Sequence, residues 1–233
     1  MTPQIPLVGG NYYHIYNRGN NGETIFRTAE NYRYFLQLFA QHIEPVATTF
    51  AFSLQPNHFH FLNYIRTDEE QRSWLLAQGG QGCQLSESWQ PCPPSRAFKN
   101  LFIAYSMAFS IRYERTGSLF QKPFKRRLVD SDRYFAVLVR YIHRNPQKHG
   151  LISDFRAWPW SSYDAILEEG SEMPTFQKLA SLASLAQKPT FQKLASVSVA
   201  CADVLAWFGG RAPFIALHEV DPDERTIADY IIE

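Results

Sequence analysis

The sequence contains few cysteines and no long apolar run. Its 233 residues include three cysteines and no CxxC pair. An odd number of unpaired cysteines indicates neither a disulfide framework nor a thiolate zinc site. No run of about 18 apolar residues occurs, which argues against a transmembrane helix, and the N-terminus lacks the basic start and apolar core of a signal peptide. We therefore expect a cytoplasmic protein with no membrane partner.

The chain also has little net charge, but its charges are segregated. The total is +1, from 23 Lys and Arg against 22 Asp and Glu. Residues 96–148 hold twelve basic and three acidic side chains, with Phe and Tyr interleaved. Basic side chains neutralise phosphates, and aromatic rings stack on unpaired bases. This half of the chain predicts a nucleic-acid partner and association with the nucleoid, although a solvated basic surface over core aromatics is the alternative.

Hydrophobic spacing predicts an α+β domain. The predicted elements are a strand at 12–16, a helix at 28–43, strands at 46–54 and 58–65, a helix at 95–115, a strand at 119–129 and a helix at 133–145. This order is typical of a ferredoxin-like antiparallel sheet with helices packed on one face. The polar stretch at 67–95, rich in Gly and Pro, predicts a loop.

The composition changes after about residue 165. We predict a catalytic domain at 1–165 and a mainly helical C-terminal extension at 166–233. The aromatic segment 158–163 is expected to pack back on the domain. The octapeptide PTFQKLAS occurs twice, at 174–181 and 189–196, but two copies are too few for a solenoid. The last 33 residues hold seven acidic and two basic side chains, so the extension could dock on the basic half.

Two histidines alternate with a phenylalanine on the strand predicted at 58–65. Side chains two residues apart in a strand point to the same face, so His58 and His60 emerge together. Two neighbouring imidazoles are good ligands for a divalent cation. An isolated His-x-His is more often an ordinary pair of surface or core-edge histidines, which remains the alternative.

The last predicted helix contains a tyrosine and an asparagine four residues apart. Tyr141 and Asn145 therefore share a helical face. A tyrosine can attack phosphorus and form a phosphotyrosine ester, and a bound metal can offset the charge that develops. An amide oxygen could complete the metal site. The alternative is a helix tyrosine half-buried against the sheet, since the chain has 12 tyrosines.

Five segments together resemble the single-tyrosine transposases of the HUH (His-hydrophobic-His) class, above all the REP-associated tyrosine transposases and related insertion-sequence proteins. The segments are YHIYNRGN at 13–20, QPNHFHFL at 55–62, RTGSLFQKPF at 115–124, YIHRNPQKHGL at 141–151 and WPWSSY at 158–163. The resemblance covers about residues 10–165. It implies a ferredoxin-like domain that cuts and joins single-stranded, hairpin-containing DNA with Mg²⁺ or Mn²⁺ as cofactor.

The resemblance also implies roles for single residues. His58 and His60 match the two metal ligands, Tyr141 matches the nucleophile, and Asn145 matches the polar ligand one turn later. Tyr134 and Tyr113 are the alternative nucleophiles. Six basic residues are expected to hold the DNA backbone: Arg18, Lys122, Lys125, Arg126, Arg127 and Arg144. The long loop at 67–95 and the C-terminal extension depart from the family's pattern. The oligomeric state therefore stays open, and the protein could be a monomer or a homodimer.

The sequence thus predicts a metal-dependent nuclease and strand transferase that acts through a 5′-phosphotyrosine intermediate. The ester conserves the energy of the cleaved bond, and no GxxxxGK[ST] loop for a nucleotide occurs. Two other classes stay open. A nucleic-acid-binding module would keep the basic surface without the chemistry, and a hydrolase using water would need more carboxylates than residues 50–65 provide, since they contain none.

Overall fold

The computed structural model describes residues 5–79, 86, 88–168 and 197–220. It contains the strands β1 (Tyr12–Arg18), β2 (Ala47–Gln55), β3 (His58–Ile65) and β4 (Lys125–Val129). Its helices are α1 (Ala29–Ile43), α2 (Asp68–Gln78), α3 (Pro94–Arg112), α4 (Asp132–Lys148), α5 (Tyr163–Leu167), α6 (Cys201–Trp207) and α7 (Arg211–Glu219). In these ranges no helix is both long and apolar enough to cross a bilayer.

The α+β class and the ferredoxin-like sheet are confirmed. The strands form one antiparallel sheet in the order β2-β3-β1-β4. The helices α1 and α3, which connect β1 to β2 and β3 to β4, pack together on one face. This is the connectivity of the β-α-β-β-α-β unit. The repeated octapeptides at 174–181 and 189–196 lie outside the described residues.

The face of the sheet toward α1 and α3 is an aromatic core. Alternation along β3 directs Phe59 and Phe61 to this face, and Phe61 stacks on Phe39 of α1 with ring centroids 4.2 Å apart. The apolar residues of α1 recur at steps of three and four, so they form one stripe against the sheet. Burying one such side chain contributes about 1.5–3 kcal/mol.

Helix α4 covers part of the opposite face. Ser131 caps it by accepting a hydrogen bond from the backbone N–H of Tyr134 at 3.3 Å. Its buried residues include Leu138 and Ile142, which pack against Leu62 of β3 in a second core. The helix rests mainly on β2 and β3, so it adds a layer to the two predicted crossover helices and leaves the neighbouring surface of β1 and β4 less covered.

Two predictions differ from the structure by more than three residues. The loop predicted at 67–95 contains helix α2, which begins with a capping box: Thr67 Oγ1 accepts from Glu70 N at 3.2 Å, and the Glu70 carboxylate accepts from Thr67 N at 2.7 Å. The polar composition of α2 hid its periodicity, although the Thr-x-x-Glu signal is in the sequence. The strand predicted at 119–129 begins only at Lys125, and Phe120 makes an isolated bridge to Gly19.

The aromatic segment 158–163 packs back on the domain, as predicted. Trp158 Nε1 donates to the carbonyl of Leu54 at 3.0 Å, and Trp160 stacks on Tyr32 of α1 at 4.4 Å. Farther along, Val199 pairs in parallel with Thr49 of β2. The described part of the extension therefore joins the sheet, while the division at residue 165 stays a prediction and the acidic residues 221–233 lie outside the described ranges.

A chain of buried polar groups joins α7 to α4. His218 Nδ1 lies 2.7 Å from the carbonyl of Phe214, which can only accept, so this nitrogen carries the hydrogen. His218 Nε2 then accepts from His143 Nδ1 at 2.9 Å, and His143 Nε2 accepts from Ser162 Oγ at 2.9 Å. Both imidazoles are neutral in this arrangement, and burial lowers both of their pKa values.

Candidate metal and nucleic-acid site

The tight turn between β2 and β3 places the two predicted histidine ligands. Pro56 and Asn57 form the turn, so Gln55 and His58 are directly opposite each other. His60 follows two residues later, opposite Ser53 on one side and Tyr16 on the other. The rings of His58 and His60 lie on the face toward α4 with centroids 5.3 Å apart and planes at 85°.

His58 bridges the turn and helix α4. Its Nδ1 lies 2.7 Å from Asn57 Oδ1, and its Nε2 lies 3.0 Å from Asn145 Oδ1. If Nδ1–H donates to Asn57, a neutral ring presents a lone pair at Nε2 toward another acceptor oxygen. In that case the lone pairs of His58 Nε2 and Asn145 Oδ1 repel each other, and a cation bound between the two atoms would be attracted by both. The predicted ligands His58 and Asn145 are therefore brought together, although they are 87 residues apart.

His60 is oriented by a third histidine. His60 Nδ1 lies 2.9 Å from Nε2 of His14 on β1, inside the protein. If His60 donates through Nδ1, its Nε2 keeps a lone pair for a ligand. Burial, followed by the charge of Arg127, lowers the pKa of His14 to about 3. Burial and the neighbouring imidazoles hold the pKa of His60 well below its usual value, so both rings are neutral at pH 7.

The residues present fit a divalent ion. His60 Nε2 is buried and has no hydrogen-bond partner among the described residues, as expected of a ligand atom. In an octahedral shell with metal–ligand bonds of about 2.1 Å, neighbouring ligand atoms lie about 3.0 Å apart. The distance between His58 Nε2 and Asn145 Oδ1 is also 3.0 Å. Across the described ranges no three His, Cys, Asp or Glu side chains converge on a metal position, so such a site depends on amide oxygen.

Tyr141 lies beside His60. Its ring meets His60 edge-on at 5.3 Å, and Nζ of Lys148 lies 5.5 Å from the ring centroid. The side chain is largely buried, with the residue 3% exposed.

The two alternative tyrosines lie elsewhere. Tyr134 is seven residues before Tyr141 on α4, with the guanidinium of Arg127 5.4 Å from its ring. Tyr113 follows α3 on the other side of the sheet and donates to Asn31 Oδ1 at 2.9 Å. Of the three predicted candidates, Tyr141 is the one in contact with the histidine pair.

His14 and Tyr16 are among the residues at the site that were not singled out from the sequence. Tyr16 stacks on His14 at 4.5 Å and lies 5.8 Å from His60, ring to ring. Burial raises the pKa of Tyr16, and Arg127 opposes that shift, so the Tyr16 phenol is a weaker acid than that of an ordinary tyrosine. The signal for His14 and Tyr16 was their alternation on β1 within the YHIYNR segment, but only strand pairing shows which strand they face.

Three of the six predicted DNA-binding residues line the same face. Arg18 pairs with His58, Lys125 pairs with Tyr16, and Arg127 pairs with His14. Nζ of Lys125 lies 5.8 Å from the ring of Tyr16. We call Arg18, Tyr16, Lys125 and Arg127 the basic strip. It adjoins the histidine pair on the surface of β1 and β4.

The other three basic residues have different surroundings. Arg126 points to the opposite face, where it donates to Ser95 Oγ at 2.9 Å and covers the ring of Phe124. Arg144 donates to the carbonyl of His218 at 2.6 Å. Lys122 is exposed in the segment before β4. Their contact with DNA stays a prediction.

Comparisons with known proteins give limited information. No protein-family model matches the chain, and no curated protein matches it. A solved structure of a REP-associated tyrosine transposase bound to a REP hairpin is similar, with 15% sequence identity and a TM-score of 0.48. The alignment covers 85% of this chain and 96% of that one. A similarity at this level assigns no activity to this chain.

Proposed function

We propose that this protein is a metal-dependent endonuclease and strand transferase for single-stranded, hairpin-containing DNA, with Tyr141 as nucleophile. The observation that carries the proposal is the convergence of His58, His60, Asn145 and Tyr141 from β3 and α4 of one chain. Tyr141 contacts His60 of its own chain, which supports attack by the tyrosine of the chain that holds the metal.

The chemistry is an exchange of phosphate esters. The Tyr141 phenol loses its proton and attacks the scissile phosphorus, the bond from phosphorus to the 3′ oxygen breaks, and that oxygen takes up a proton. The 5′ end stays attached as a phosphotyrosine. Attack by another 3′-hydroxyl reverses these events and joins a new strand, so no external energy source is consumed.

Each surrounding group has a part in this scheme. His58, His60 and Asn145 would hold Mg²⁺ or Mn²⁺, which when bound polarises the scissile phosphate and offsets charge on it. His14 orients His60, and Lys148 places a positive charge near the Tyr141 ring. The basic strip holds the phosphates of the strand, and Tyr16 offers a surface for base stacking.

A covalent-adduct assay tests the proposal. The full-length protein is mixed with end-labelled single-stranded hairpin DNA from the sequence flanking its gene, in Mn²⁺ or EDTA, and separated on a denaturing gel. We expect a protein–DNA band with Mn²⁺ that is lost in EDTA, in Tyr141→Phe and in His58→Ala. Tyr34→Phe, on the exposed side of α1, is the matched control and should leave the band unchanged.

Other outcomes redirect the assignment. A band that persists in Tyr141→Phe but disappears in Tyr16→Phe or Tyr134→Phe would move the nucleophile. Tight DNA binding with no band would favour a nucleic-acid-binding module, and cleavage with no band would favour water as the nucleophile.

A further inference from the structure

The candidate metal site has unpaired buried polar atoms, and one of them belongs to a residue other than the three predicted ligands. Within the described residues, Gln55 Oε1, His60 Nε2 and Asn145 Nδ2 are all buried and lack a hydrogen-bond partner. All three side chains belong to the region where α4 meets the ends of β2 and β3. A buried polar atom without a partner is unfavourable. Gln55 Oε1 and an unprotonated His60 Nε2 offer lone pairs, which a cation would satisfy, whereas the Asn145 NH2 group is a donor and would need an acceptor such as a phosphate oxygen.

We propose that Gln55 is a fourth protein ligand of the divalent ion, through its side-chain oxygen Oε1. This inference rests on the proposed function, because it concerns the metal held by His58, His60 and Asn145. It goes beyond it by adding a residue that neither the His-x-His pattern nor the tyrosine helix identifies.

Strand register places Gln55 at the site. Gln55 and His58 are directly opposite across the turn, so their side chains leave the sheet on the same face. Opposite side chains of this kind have Cβ atoms about 4.5–5.5 Å apart. Gln55 is fully buried, although glutamine is a residue type that is mostly exposed.

The orientation of the amide leaves its oxygen available. Gln55 Nε2 donates to Ser53 Oγ at 2.8 Å, and Ser53 is the residue opposite His60. This hydrogen bond holds the amide along β2, on the strand next to the two histidines. An amide held by its nitrogen presents its carbonyl oxygen as the remaining acceptor.

The resulting ligand set suits the proposed substrate. Two imidazole nitrogens and two amide oxygens carry no charge, so the ion keeps its full double positive charge for a phosphate. Amide oxygen is a ligand type that Mg²⁺ and Mn²⁺ accept. It also explains how the site can bind metal although, in the described ranges, no three His, Cys, Asp or Glu side chains are arranged to hold an ion.

The test is Mn²⁺ binding to the full-length protein without DNA, measured by isothermal titration calorimetry. Gln55→Met keeps the length of the side chain and removes the oxygen, and it should weaken Mn²⁺ binding by about 10-fold or more. Gln55→Glu keeps an oxygen and adds charge, so it should bind Mn²⁺ at least as tightly as the wild type. Gln71→Met removes another buried glutamine amide, on α2, and should leave the affinity unchanged.

The variants separate this inference from the proposed function. If His58→Ala loses Mn²⁺ while Gln55→Met binds like the wild type, Gln55 is not a ligand and the proposed function stands. If the wild type binds no Mn²⁺, or His58→Ala binds equally well, the metal site itself is wrong. If circular dichroism shows that Gln55→Met is misfolded, the Mn²⁺ affinity of Gln55→Glu decides. An affinity weaker than that of the wild type would show that the amide only hydrogen-bonds to Ser53, and it would overturn the inference.

Discussion

On the face of the sheet toward α1 and α3, β3 contributes Phe59 and Phe61, whereas on the face toward α4 it contributes His58 and His60. The first face is closed by stacked rings, and even the buried hydroxyl of Tyr105 donates to the carbonyl of Ile25. The second face keeps unpaired polar atoms on Gln55, His60 and Asn145.

This difference indicates that the two faces of β3 have different roles, one in stability and one in ligand binding. The aromatic face contributes the burial that stabilises the fold, and the polar face can therefore retain groups that cost stability but bind ligands. Substitutions on the two faces should have different consequences, which the following experiments measure.

The largest effect on stability is expected on the aromatic face. Phe61→Ala removes a fully buried ring stacked on Phe39 and should lower the free energy of unfolding by about 3–5 kcal/mol. His58→Ala, three residues away and half-exposed, should change it by less than about 1 kcal/mol. Urea denaturation followed by circular dichroism measures both. Equal losses would refute the division between the faces.

Acid should lower the free energy of unfolding through His218 of α7, the helix that packs on α4. Burial, with Arg140 and Arg144 adding repulsion, lowers the pKa of His218 from its usual 6.5 to about 4. The unfolded chain then binds a proton between these pH values that the folded protein excludes, so stability falls as pH falls from 6.5 to 4. The contribution of His218 to this loss, at pH 4 relative to pH 7, is about 3 kcal/mol.

Urea denaturation at pH 7 and pH 4.5 checks this prediction. In His218→Gln the titrating ring is absent, so the difference in stability between the two pH values should be smaller than in the wild type. An unchanged difference would mean that His218 is not the group responsible.

A smaller effect is expected for the orienting residue on the polar face. His14→Phe keeps a buried ring and removes the nitrogen that contacts His60 Nδ1. Mn²⁺ affinity should fall by about 10–100-fold, the usual result of losing a group that orients a metal ligand. His42→Phe, on α1, is the control and should bind Mn²⁺ like the wild type. Calorimetry on both proteins decides, and equal affinities would remove His14 from the site.

The smallest effect is expected on the basic strip. Lys125 and Arg126 are neighbours on β4 but point to opposite faces. Lys125→Gln should reduce the slope of log affinity against log salt for single-stranded DNA by about 0.7, the contribution of one phosphate contact. Arg126→Gln should leave the slope nearly unchanged. Fluorescence anisotropy over a salt series measures it, and a larger change in Arg126→Gln would place the DNA on the other face.

Local patterns were sufficient to predict much of the fold. The β2–β3 hairpin is specified by two β-prone runs around Pro56-Asn57, and α4 by Ser131 and the apolar spacing that follows it. Both depend on interactions between residues close in sequence. Helix α2 was not predicted from hydrophobic spacing, because its faces are polar. The capping box of Thr67 and Glu70 is the main feature of the sequence that indicates it.

The candidate site was predicted only in part. His58, His60, Tyr141 and Asn145 belong to short segments with recognisable spacing, and the structure brings them together. His14 was not identified as a partner of His60, because the two are 46 residues apart in sequence. Alternation along β4 separates Lys125 and Arg127 from Arg126, but which of the two faces adjoins the histidines depends on which strand β4 joins and in which register.

The sequence by itself determined the α+β class, the hairpin that carries the two histidines and the helix that carries Tyr141, because spacing of two or of three to four residues decides which side chains share a face. Only the tertiary structure decided that α4 lies over β3, that His14 orients His60 and that Gln55 is buried opposite His58. These contacts join distant segments, and their formation depends on strand pairing and on the packing of both faces together.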